Sequence, residues 1–154
     1  MKGTKRVREA LEAAGLKTEI VKLEASARTA QLAAQALGVP LGSIVKSLLF
    51  LADGEPVLVL TAGDRRADPV KLKKLLGAQR VKLAAAERVR DETGFSVGGV
   101  PPVGHRTPLP TWIDESLSRF ETVYAAAGHP HAVFSITWAE LKRATNGHVA
   151  DVTN

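Results

Sequence analysis

Apolar residues recur along this chain with two different periods. Val7, Ala10, Leu11 and Ala14 fall at helical spacing and predict an amphipathic helix over residues 5–14, with Thr4 as its cap and Gly15 as its stop. Residues 18–23 read as a short strand. Thr29 then opens a second helix through Ala33, Ala36 and Leu37, closed by Gly38 with Pro40 beyond. Residues 43–51 are dense in β-branched and large apolar side chains and predict a strong strand. Asp53-Gly54 turns that strand back into residues 57–61, a hairpin by its turn chemistry.

Asp68-Pro69 is a helix start, cap then proline, for a segment through Val70, Leu72, Leu75 and Leu76 that ends at Gly77. Residues 81–83 predict a strand, and residues 84–93 a helix ended by Gly94. Further on come an extended Thr111-Trp112-Ile113, a helical turn over 115–119 and a strand over 122–126. Gly128-His129-Pro130 is expected to turn the chain into a strand over 132–136. Thr137 with Glu140 forms a capping box for a last helix, stopped at Asn146-Gly147, and residues 149–152 suit a closing strand. The elements mix without regular βαβ alternation. The expectation is a single α+β domain over residues 1–154, with one mixed, partly barrel-like β-sheet surrounded by helices.

Composition narrows the classes. At 154 residues with 45% hydrophobic content the chain can bury a core, and it has no cysteine for disulfides or thiolate metal sites. No apolar run approaches the ~18 residues of a membrane span, so a soluble cytoplasmic protein with no membrane partner is expected. The net charge of +5 is unevenly spread. Residues 65–90 hold nine Lys or Arg against Asp68 and Glu87, a local +7 that leaves −2 for the rest. Such a patch suits a polyanion such as nucleic acid, or serves solubility alone. Arg65, Arg66, Lys71, Lys73 and Lys74 are its candidate contacts to such a polyanion.

Two features carry candidate chemistry. Gly98-Gly99-Val100-Pro101-Pro102-Val103-Gly104-His105 admits neither helix nor strand, because its glycines open unusual backbone angles and its prolines fix φ and remove donors. A stiff loop of this kind lines a pocket with amides, or is an ordinary connection. The other feature is Lys46. Strand alternation puts it on the face of Ile44, Leu48 and Phe50, read as the more consistently apolar one. Either its ammonium snorkels to water, or it is a cation held at the mouth of an apolar cavity for an oxygen-rich ligand.

Gly38-Val39-Pro40, Ile44-Val45-Lys46-Ser47-Leu48, Ala62-Gly63-Asp64-Arg65-Arg66, the Gly98–His105 stretch and Gly128, in that order, resemble the YbaK family. That family comprises free-standing aminoacyl-tRNA deacylases and the editing insertion domain of bacterial prolyl-tRNA synthetases. The similarity covers residues 29–152. It implies hydrolysis, in trans, of the ester joining a wrong small amino acid (Ala, Cys, Ser, Thr or an analogue) to tRNA-Pro. The implied partners are the tRNA acceptor end with its 3′-terminal adenosine, and an aminoacyl-tRNA synthetase alongside. No cofactor is implied.

On this resemblance Lys46 is the required lysine, holding the terminal phosphate or polarising the ester carbonyl. Gly98 and Gly99 offer oxyanion donors and Pro102 keeps the loop rigid, completing the catalytic set. Val100, Gly104, His105 and Gly128 are the expected substrate-binding residues. His129 and His131 would share a strand face, but no third ligand stands at useful spacing, so no metal is expected. Trp112 and Trp138 either stack on the terminal adenine or belong to the core, as a lone tryptophan in a small domain more often does. The competing function is a non-catalytic tRNA- or nucleotide-binding module, which would need the basic patch but not the loop.

Overall fold

The structure is a computed structural model that describes residues 2–154. Its five helices are α1 (Lys2–Ala13), α2 (Ala30–Leu37), α3 (Pro69–Leu76), α4 (Ala86–Thr93) and α5 (Trp138–Thr145). Its strands are β1 (Ile20–Lys22), β2 (Val45–Ala52), β3 (Glu55–Ala62), β4 (Val81–Leu83), β5 (Thr111–Asp114), β6 (Thr122–His129), β7 (Ala132–Thr137) and β8 (His148–Ala150). The α+β class stands, but not the partly barrel-like sheet. The strands form two sheets, β1-β7-β6 and β4-β2-β3-β5-β8, which do not close on each other. A parallel bridge between Ile44 and Tyr124 joins their edges.

Local chemistry explains most boundaries. Asp53 and Gly54 both take positive φ, 49° and 85°, the requirement of a tight hairpin turn whose twist matches the strands. The β2–β3 ladder then runs without a slip from Val45–Ala62 to Ala52–Glu55. Thr29 caps α2 by accepting from the Leu32 N–H, and Asp68 caps α3 from both Val70 and Lys71. The Thr137–Glu140 capping box is complete.

Three expectations are corrected. Helix α1 already runs from Lys2, so Thr4 is a buried residue within it and not its cap. Gly128 and His129 belong to β6, at an irregularity of its ladder with β7, so the turn falls on Pro130 and His131. Gly128 serves packing there: a Cβ on it would lie 2.7 Å from the Gly3 backbone, so its bareness lets α1 rest on β6.

The third correction concerns β2. Its fuller face is that of Val45, Leu49 and Leu51, which join a core shared by both sheets and α1, with Val7, Leu58, Val123 and Phe134. The Lys46 face carries Phe50 and Leu48 into a smaller cluster with Val57, Val59, Leu72 and Val152 beneath α3. Lys46 sits at the end of the strand where that cluster stops.

Candidate active site

Where β2 leaves its neighbours, a chamber opens. β4 pairs with β2 only over residues 50–52, so the first half of that edge is not covered by β4. The Ala84 N–H bonds the Leu49 carbonyl on this edge. Strand alternation therefore aims the Ser47 backbone groups the same way. The resulting chamber has a volume of about 320 Å³. Its walls are α2 with the residues before it, residues 45–49 of β2, the β4–α4 junction, the 97–100 loop and the middle of β6. Ala30, Ala33, Leu37, Ile44, Val89, Val100 and Val133 make most of it apolar.

Lys46 and Gly98, 52 positions apart in sequence, both line this chamber, as does Val100. The Lys46 side chain is half-buried, and its Nζ donates to the Arg65 carbonyl at 2.6 Å. Burial pulls its pKa below the ordinary lysine value and neighbouring Arg66 pulls the same way, while Asp64 partly restores it. Asp64 itself is clasped by Arg119, with contacts of 2.7 and 3.0 Å, and these hold its carboxyl below the usual range. Both residues stand over Gly42, where a Cβ would come within 2.9 Å of each. Lys46 is thus a pinned ammonium without a carboxylate bonded to it.

Gly98 has φ +94°, and a Cβ there would press to 3.0 Å from the Arg28 Cβ. Arg28 lies across it as a second chamber cation. Gly99 is placed differently. It is buried with ordinary φ, its N–H donates to the Ser96 carbonyl, and a Cβ on it would lie 3.1 Å from the His129 main chain. Its amide is committed to the turn and lies outside the chamber lining.

Pro102, Gly104 and His105 line a separate depression between α1 and the end of α5. His105 bonds the Pro101 carbonyl at 2.7 Å, and burial pushes its pKa down. Gly104 (φ +84°) passes beneath α1, and Gly128 packs against it, so neither reaches the chamber. The His129 and His131 rings lie 5.7 Å apart, tilted at 52°, with His131 held to the Leu23 carbonyl. Among the described residues no group of three metal-ligating side chains occurs.

The basic segment divides as well. Arg65 and Arg66 adjoin Lys46, whereas Lys71 is tied to Asp151 at 2.8 Å and to the Thr153 carbonyl at 2.6 Å. Lys73 and Lys74 stand exposed in the last turn of α3, on whose outer side Val70 and Leu75 are exposed too.

Sequence reasoning missed Arg28 and Tyr124. Arg28 immediately precedes the α2 cap, a signal present in the sequence. Tyr124 reaches the chamber only through the inter-sheet bridge, which no local pattern announces.

Residues 24–144 match the aminoacyl-tRNA editing domain family, and the chain belongs to it. It is 34% identical over 124 residues to the uncharacterized protein YwhH of Bacillus subtilis, covering 80% of this chain and 78% of that protein. A 68-residue stretch is 56% identical to the proline–tRNA ligase of Nitratidesulfovibrio vulgaris, covering 44% of this chain but 12% of that enzyme. Among solved structures, a candidate trans-editing enzyme for prolyl tRNA synthetase superposes with a TM-score of 0.94 at 44% identity. The match covers 100% of this chain and 98% of that one. Among the described residues no helix is long and apolar enough to cross a membrane.

Proposed function

We propose that this protein is a cytoplasmic deacylase that hydrolyses, in trans, tRNA-Pro mischarged with a small amino acid. The observation that carries the reading is the meeting of Lys46 and Gly98 in one apolar chamber of about 320 Å³. An aminoacyl ester is already activated, so the site has to position it, admit water and stabilise the tetrahedral oxyanion. Water attacks the acyl carbon, the C–O bond to the terminal ribose breaks, and the ribose oxygen takes up a proton. The free amino acid and deacylated tRNA leave.

In this reading the Lys46 ammonium faces the negative charge, whether of the ester carbonyl as it becomes an oxyanion or of the terminal phosphate. The Gly98 backbone lies against the acyl group, and Val100 helps close the wall around it. Gly99, Pro102, Gly104, His105 and Gly128 act from behind, by holding the loop and α1 in place. Arg65, Arg66, Lys73 and Lys74 receive the acceptor end, with Lys71 held back by Asp151. A synthetase bound alongside would present the mischarged tRNA.

The apolar walls suit a small neutral side chain. The test is a deacylation panel on tRNA-Pro charged in turn with Pro, Ala, Cys and Ser. Turnover of a small non-cognate ester above that of Pro is the expected outcome. Tight tRNA binding with no ester hydrolysed would leave the binding-module reading instead.

A further inference from the structure

We infer that the chamber takes its acyl group only uncharged: an aminoacyl ester enters with its α-amine as the free base. Esters that lack the amine, α-hydroxyacyl esters first among them, are then substrates of the same site. This rests on the reading of the chamber as the acyl site.

The charge of the lining carries the inference. Two charged residues line the chamber, Arg28 from the residue before the α2 cap and Lys46 from β2, and both are cations. The β4–α4 junction and the 97–100 loop contribute only uncharged groups, and β6 contributes the Tyr124 phenol. No Asp or Glu lines it. Just beyond Lys46 stand Arg66, a third cation, and Asp64, whose two carboxylate oxygens are both occupied by Arg119. A substrate ammonium would therefore be desolvated beside like charges, with only neutral acceptors to meet it: backbone carbonyls and the hydroxyls of Thr29, Ser47 and Tyr124. Both effects disfavour the protonated form.

Losing that proton is easy. An α-amine in water titrates at about 7.7–8.0, so about a tenth to a sixth of it is free base at pH 7. Deprotonation makes the ester carbonyl somewhat less electrophilic but leaves the bond to be broken unchanged, and the same hydrolytic step serves an acyl group carrying a hydroxyl in place of the amine.

The probes are one tRNA-Pro carrying either an alanyl or a lactyl ester, which differ only in that group. The readout is the ratio of their kcat/KM values from pH 6 to pH 8.5. tRNA contacts, hydroxide and the titration of the protein cancel in the ratio. The alanyl-to-lactyl ratio should rise about 30- to 50-fold between pH 6 and pH 8 and then level off. Uncatalysed hydrolysis runs the other way, since an ammonium withdraws electrons from the carbonyl and favours attack at low pH. Arg28→Glu, an exposed position, places a carboxylate at the chamber and should flatten the rise.

A ratio that is flat with pH in the unaltered protein overturns the inference. So does a rise that Arg28→Glu leaves unchanged, because the charge of the lining would then not be its cause. Hydrolysis of the alanyl ester at pH 8.5 separates the two readings. If it is present with a flat ratio, only this inference falls; if neither ester is hydrolysed, the acyl-site reading falls and takes the inference with it.

Discussion

Replacing Lys46 by Met removes one charge while keeping an unbranched stem of similar length in β2. Two terms decide the effect on stability. The Nζ–Arg65 carbonyl bond is lost, and a bond from a charged donor is worth about 1.5–3 kcal/mol. Against this, the pKa of Lys46 is lowered by its burial, so the folded state holds its ammonium less favourably than water does. A lysine with a lowered folded pKa opposes folding throughout neutral pH, and that opposition disappears only as pH rises past the unfolded value near 10.5. The freed Arg65 carbonyl is near solvent and can hydrate.

The terms oppose each other, so the net change should stay within about 1 kcal/mol, or about 2–4 °C in Tm for a chain of this size. Turnover should behave quite differently. If the ammonium faces developing negative charge, its removal should cost about 3 kcal/mol, a rate loss on the order of 100-fold. The assay is single-turnover deacylation of alanyl-tRNA-Pro beside a thermal melt on the same preparation. A fall in Tm of 8 °C or more with a proportionate loss of activity would refute the reasoning, because Lys46 would then be a structural pin for the 64–66 segment.

Gly98→Ala forces a Cβ into positive φ and against Arg28, so it should cost about 1–2 kcal/mol of stability and most of the turnover, read by urea melts and single-turnover rates. Retained activity would show that the backbone there does not face the ester. The triple change Lys71→Gln, Lys73→Gln, Lys74→Gln should lower the salt dependence of tRNA affinity by about two phosphate contacts, since Lys71 is already occupied; the slope of log Kd against log salt measures this. His105 has a lowered pKa in the folded state, so its contribution to stability is complete above the unfolded value of about 6.5 and is lost as pH falls below it. His105→Gln should remove that part of the acid slope in urea melts between pH 7 and pH 5.

The elements that could be read from sequence were those with local causes. Thr29, Asp53-Gly54, Asp68-Pro69 and the Thr137–Glu140 box each act within a few residues, and each appears where its chemistry put it. Lys46 stood out because an ammonium interrupts an apolar strand. Its surroundings were misjudged, because both faces of β2 are apolar and only the packing of α1 and α3 decides which face meets the larger core. The glycines show the same limit. A glycine is recognisable as a bare position, but whether it lines a chamber, as at Gly98, or admits a crossing helix, as at Gly128, depends on chain more than 60 residues away in sequence. The separation of the sheets was hidden because strand pairing leaves no trace in either strand alone.

The Ile44–Tyr124 bridge sets an order of events during synthesis. The chamber draws its walls from Ala27 through Val133, and the early half, with Lys46 in place, leaves the ribosome some 80 residues before β6 and β7 arrive to cover it. Until then an apolar trough beside an unpaired strand edge faces the cell, open to any neighbouring strand that can pair with it. A half-made copy therefore carries the lysine but encloses no chamber, and competence should come late and abruptly, with the second sheet.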